Sequence, residues 1–157
     1  MSSIRHVEKS LSSRIFRSVL TFTLIMLLVF GVAMSDIFYI TYERDAEEAL
    51  SSAAQNIATS LSSMDSNACE QVLSRQVSDT FRYTLIDSGG NVLFDSVADA
   101  STMENHADRP EVREADERGR GEVSRYSSTL GTVTLYSAVK LGNGDVVRLS
   151  ETRESLV

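Results

Sequence analysis

Residues 81–95 read Phe81-Arg82-Tyr83-Thr84-Leu85-Ile86-Asp87-Ser88-Gly89-Gly90-Asn91-Val92-Leu93-Phe94-Asp95. Large apolar side chains recur at every second position from Phe81 to Leu85, the period of a half-buried strand. Ser88-Gly89-Gly90-Asn91 supplies the positive φ of a tight reversal, and residues 92–95 form the returning strand. A lone hairpin is marginal in water, so further strands must complete it. Three are expected, over residues 122–128, 132–141 and 145–151. Leu130-Gly131 and Gly142-Asn143-Gly144 turn between them, and such short turns make neighbours antiparallel. The segment 96–120 is polar and irregular apart from a helix over residues 110–118, opened by Pro110 and stopped by Gly119. The fold class is α+β: a five-stranded antiparallel sheet with helices packed on one face.

On the N-terminal side, residues 43–64 contain neither Gly nor Pro and read as helix. Ala46, Leu50, Ala53, Ile57, Leu61 and Met64 fall at spacings of three and four, one stripe that packs on the sheet or on a second copy of the chain. About three heptads is too short to assert a coiled coil. Asp65-Ser66-Asn67 breaks and recaps the chain. A second helix is expected over residues 68–79, with Ala68, Val72 and Gln76 on one side.

Before these helices lies SVLTFTLIMLLVFGVAMS, residues 18–35, without a charge. As helix it spans about 27 Å, near the thickness of a bilayer's hydrocarbon. Apolar character resumes at residues 37–40, and Phe38, Tyr39 and Tyr42 suit a headgroup belt. Arg5, Lys9, Arg14 and Arg17 all precede the run, which places the N-terminus in the cytoplasm and the remainder outside. Ala33-Met34-Ser35 also fits a signal-peptide cleavage site, and that alternative exports the same remainder. Too little chain follows to wrap an all-round apolar helix inside a soluble protein.

With 157 residues the chain holds one domain and an accessory segment. Its first 35 residues carry +3 against −7 overall, leaving −10 for the rest. So acidic a body has no basic stripe for nucleic acid. A single cysteine, Cys69, excludes an internal disulfide framework and a Cys-rich zinc site. Cys69 is either a small buried hydrophobe or a cross-link between two copies.

His106 stands among Glu104, Asp108 and Glu111. One imidazole with loose carboxylates is no metal signature, so Asn105 and His106 are expected to order the crossover through backbone hydrogen bonds, with pH sensing by His106 as the alternative. Asp108, Glu111, Glu114, Asp116 and Glu117 interleave with Arg109, Arg113, Arg118 and Arg120 at helical spacings, the pattern of a solvated, self-neutralising helix. No Ser–His–acid set and no phosphate-cradling Gly loop is present, so no catalytic residue, metal or cofactor site is expected in this chain. His6, on the basic head, is not read as a phospho-acceptor.

Taken in order, several stretches carry a family likeness. They are residues 83–87 with 90–96; Glu104-Asn105-His106-Ala107-Asp108-Arg109-Pro110-Glu111-Val112 with Glu114-Ala115; residues 125–129; Leu135-Tyr136-Ser137-Ala138; and Val146-Val147-Arg148-Leu149-Ser150. The chain resembles the first membrane span and extracytoplasmic PAS-like (Cache-type) sensor domain of bacterial two-component sensor histidine kinases of the phosphate-regulon sensor type. The resemblance implies a cytoplasmic tail (1–17), a transmembrane helix (18–40), membrane-proximal helices (41–79), a PAS-like sheet (80–151) and the start of a lead-out to a second membrane helix (152–157). It also implies a homodimer in the bacterial cell membrane that signals to a cognate response regulator. ATP and Mg would serve a kinase core outside this chain. PAS-like pockets lie between sheet and crossover, which points to Arg109, Arg125, Tyr136 and Arg148 as ligand-binding residues, since a guanidinium can grip a carboxylate bidentately; the alternative for a strand arginine such as Arg148 is an outward side chain lying over apolar surface. The alternative is a stand-alone anchored or secreted binding domain, or the input domain of a chemotaxis receptor or cyclic-dinucleotide cyclase.

Overall fold

The computed structural model describes residues 2–76, 78–127 and 132–154, with side chains from Ser13 onward except those of Glu43 and Glu154. The side chain of His6 and the expected turn at Leu130-Gly131 lie outside the described residues. The chain divides into two compact units, Met1–Asp45 and Ala46–Val157.

The first unit is helical. Helix α1 (Ser2–Leu61) begins well before the apolar run and takes in residues 2–17. Its apolar side chains stay uncovered: Phe16 is 67% exposed, Leu28 69% and Phe38 70%. The hydroxyls of Thr21 and Thr23 donate to the carbonyls of Arg17 and Val19 at 3.0 and 2.9 Å, which satisfies them without solvent. Phe38 and Tyr42 stack one turn apart, ring centroids 6.3 Å from each other. α1 is long and apolar enough to cross a membrane.

In the second unit, α1 buries Ala46, Leu50, Ala54, Ala58 and Leu61. The stripe is centred on Ala54 and Ala58, while Ala53, Ile57 and Met64 pack at its margin. Small residues in mid-stripe let the helix lie close to the sheet. α1 ends at Leu61, before the expected Met64. The Asp65 carboxylate then accepts the Ala68 N–H at 2.8 Å and caps α2 (Ser66–Leu73). α2 stops at Leu73, shorter than expected, and buries Cys69 and Leu73 rather than the Ala68–Val72 face. Cys69 is fully buried, which rules out a disulfide to a second copy without unfolding, and burial raises its thiol pKa.

The strands are β1 (Arg82–Ile86), β2 (Val92–Asp95), β3 (Arg120–Ser127), β4 (Thr132–Lys140) and β5 (Val146–Glu154). They form one antiparallel sheet in the order β2-β1-β5-β4-β3. β5 pairs on both sides, with Arg148 opposite Thr84 of β1 and Ala138 of β4. It continues through Glu154, paired with Thr132, so residues 152–154 are strand and not the start of a helix.

Helix α3 (Pro110–Arg118) spans the expected residues, but it packs on the other face of the sheet from α1 and α2. Tyr83, Leu85, Leu135, Val139, Val147 and Leu149 face α1 and α2; Ile86, Ala138 and Val146 face α3 through Val112 and Ala115. Consecutive Val146-Val147 already carries the reason: a strand apolar at both parities is buried on both sides. Each fully buried leucine, such as Leu61, Leu73, Leu85 and Leu149, stabilises by about 1.5–3 kcal/mol.

Two glycines fix the crossover. Gly90 has φ +84°, and a Cβ there would strike Ala107 and the Asn105 side chain. Gly121 opens β3 beneath α3, where a Cβ would run into the backbone oxygen of Glu111. Gly121→Ala should therefore push α3 off the sheet and destabilise by about 1–3 kcal/mol, read as a lowered melting temperature of the detergent-solubilised chain. An unchanged melting temperature would refute this packing.

Candidate functional site

Strand alternation puts Arg148 on the α3 face in the middle of the sheet, only 5% exposed. A guanidinium there needs acceptors, because an unpaired buried charge is costly. Glu111, in the first turn of α3 and 0% exposed, provides one. Its Oε1 accepts Arg148 Nη1 at 3.2 Å and its Oε2 accepts Arg125 Nη2 at 2.5 Å. Arg148 Nη2 also donates to the Thr84 hydroxyl at 3.3 Å. Thr84 donates to Asp95 Oδ2 at 2.9 Å, and Arg82 Nε meets both Asp95 oxygens at 3.0 Å. A polar chain thus runs from β3 through α3, β5 and β1 to β2.

The Tyr136 ring lies within this chain. The guanidinium carbons of Arg125 and Arg148 stand 4.5 and 5.3 Å from its centroid, both within cation–π range. Three of the four residues expected at a ligand site, Arg125, Tyr136 and Arg148, therefore meet. The fourth, Arg109, is the half-buried N-cap residue of α3, and it makes no ion pair among the described residues.

The crossover is tied to the β1–β2 turn. Asn105 Nδ2 donates to the Gly89 carbonyl at 2.8 Å, and its Oδ1 accepts the Ala107 N–H at 2.9 Å. The His106 N–H donates to the Gly90 carbonyl at 2.7 Å. His106 is 5% exposed, and its Nδ1 has no hydrogen-bond partner among the described residues. Burial lowers its pKa, and the charges of Arg148 and Arg109 lower it further, while Glu111 opposes them. Burial also lowers the pKa of Arg148, against the pull of Glu111. For Asp95, burial alone would raise the pKa; hydrogen bonds from the Ala98 N–H, Arg82, the Val97 N–H and Thr84 outweigh it, and the net shift is downward.

Glu111 is the correction to the sequence reading. It belongs to no solvated helix face, although Glu114 does pair with Arg118 one turn away in solvent. Glu111 lies one turn before buried Ala115, a signal masked by the arginines nearby in sequence. Thr84, Asp95 and Arg82 were likewise not anticipated. Among the described residues no group of three His, Cys, Asp or Glu side chains is placed to hold a metal. The arrangement sets two guanidinium groups against one aromatic ring, with the Glu111 carboxylate held between them.

No family model matches the chain, and no curated protein matches it. Among solved structures it is similar to the crystal structure of the Bacillus subtilis YkuI protein, with an EAL domain, in complex with substrate c-di-GMP and calcium. The identity is 14% and the TM-score 0.44, over 71% of this chain and 35% of that one. The chain thus spans about a third of that protein's length.

Glu111→Ala strands two guanidinium groups, one of them buried, and should destabilise by about 3–5 kcal/mol. Glu114→Ala, which removes only a solvent-screened pair with Arg118 from a half-buried residue, should change stability by no more than about 0.5 kcal/mol. Chemical denaturation of both variants checks the contrast, and equal losses would refute it. Acid gives a second test. His106 takes a proton less readily in the folded chain than at its ordinary 6.5 in the unfolded one. Its contribution is therefore whole above that value and is lost as pH falls through it. Melting temperatures between pH 7.5 and 5.5 should decline for the parent and decline less for His106→Gln; parallel slopes would exclude His106 as the cause.

Proposed function

We propose that this chain is the extracytoplasmic signal-sensing input region of a membrane-bound two-component sensor histidine kinase, held by one membrane-crossing helix. The observation that carries the reading is α1. One helix includes an apolar stretch with uncovered side chains and, from Ala46, the stripe that closes the sheet. The basic residues before that stretch favour a cytoplasmic N-terminus. The five-stranded antiparallel sheet, with a helical crossover on one face, supports a PAS-like domain.

In this reading the Arg125–Tyr136–Arg148 cluster is the sensing site and Glu111 its resident occupant. A small carboxylate or phosphate that displaced Glu111 would release the first turn of α3 from the sheet. A stimulus shifts a two-state element only by its differential affinity for the two states, and the Glu111 clamp is such an element. The homodimer, the response regulator, and the ATP and Mg²⁺ of a kinase core outside this chain belong to the same proposal.

Two measurements test it. Alkaline phosphatase fused after Arg153 should be active in a bacterial host, and green fluorescent protein fused there should be dark; the reverse pattern ends the extracytoplasmic reading. Beyond the codon for Val157 the reading frame should encode a second apolar run of about 20 residues, then a His-bearing helix and a nucleotide-binding domain. A stop codon there, or a methyl-accepting or cyclase domain in their place, ends the kinase reading.

A further inference from the structure

The other face of the sheet holds a cleft of about 190 Å³ between the start of α1's buried stripe and strands β3 and β4. Glu47 of α1 and Glu122 of β3 flank it, Ser124 and Ser137 line it, and Leu50 and Leu135 supply its apolar surface. Strand pairing sets this composition: Glu122 lies opposite Ser137 and Ser124 opposite Leu135, all on the α1 side.

Three observations give the cleft its chemistry. Glu122 spends one oxygen on the Ser51 hydroxyl, 2.6 Å away, and neither Glu122 nor Glu47 meets a cationic side chain among the described residues. Ser137 is only 3% exposed, yet its hydroxyl has no hydrogen-bond partner among the described residues and borders the cleft. A hydroxyl that no internal group engages is free to meet a ligand's polar group. Leu50 and Leu135, 2% and 7% exposed, offer an alkyl chain a surface that a hydrated metal ion would not use.

We propose that this cleft binds a small primary organic ammonium. Its three N–H donors meet Glu47, Glu122 and Ser137, and its short alkyl chain rests on Leu50 and Leu135. The volume admits a ligand of a few heavy atoms, well below the roughly 300 Å³ where drug-sized pockets begin. The site goes beyond the sensor reading and stands whether or not the chain drives a kinase.

The test is calorimetric titration of the detergent-solubilised full chain with n-butylammonium chloride. Sodium chloride, calcium chloride and n-butanol serve as parallel titrants. Saturable binding by butylammonium alone is expected. Loss of one charge-assisted hydrogen bond in Glu47→Gln should weaken it by about tenfold or more. Glu47 is exposed, so this variant keeps its fold. Ser137→Ala should weaken binding less. Saturation by calcium instead, equal binding of butanol, or undiminished affinity in Glu47→Gln would each overturn the proposal.

Discussion

The structure turns on one buried carboxylate. Glu111 is fully enclosed, and its two oxygens are divided between guanidinium groups from different strands. Ion pairs at such depth contribute little net stability, because desolvating the charges offsets their attraction; what they enforce is geometry. α3 could slide over the small apolar patch of Ile86, Ala138 and Val146, which lacks deep knobs. The Glu111 clamp fixes its position, and Gly121 lets the backbones approach closely enough for the clamp to form. Arg125, Tyr136 and Arg148 are then held in one place, so the same interaction that orders the helix shapes the site.

The two faces of the sheet carry opposite chemistry. Towards α3 lie Arg82, Arg125 and Arg148, answered by Glu111 and Asp95. Towards α1 lie an apolar core, the Glu151–Arg153 ion pair near the end of β5 and, at one side, Glu47 and Glu122, which meet no cationic side chain among the described residues. Alternation along β3 produces the contrast within four residues, since Glu122 and Arg125 point to opposite sides. Only backbone separates the arginine cluster from the acidic cleft. β3 and β4 contribute to both.

Much of this was legible in the sequence because it is local. Period-two runs gave the strands, Pro110 and Gly119 bracketed α3, and the Ala–Leu stripe marked α1 as a packing helix. What escaped depends on separation. Glu111 has arginines within a turn in sequence, yet its partners are 14 and 37 residues away. Arg148 reaches Thr84 across 64 residues. Charge patterning reads neighbours along a helix, and it cannot see a strand brought in from the far end of a sheet. The second covered face was missed: helices were expected on one face only, although Val146-Val147, apolar at both parities, is the local sign of a strand buried on both sides. Asn105 fared better in part: its bond to the Ala107 N–H is local, whereas its bond to the Gly89 carbonyl spans 16 residues and could be expected only as ordering of the crossover, without its partner.

Strand order has a kinetic side. β5 comes after the other four strands in sequence but occupies the middle of the sheet. Before it is in place, the β1–β2 and β3–β4 hairpins are separate, each with an open inner edge and a half-built apolar face. Topologies rich in such distant pairings fold slowly, since loop-closure entropy is spent before the pairing compensates it. A nascent chain therefore stays adhesive until its β5 residues emerge, and the exposed hairpin edges are where misassembly with neighbouring chains would start.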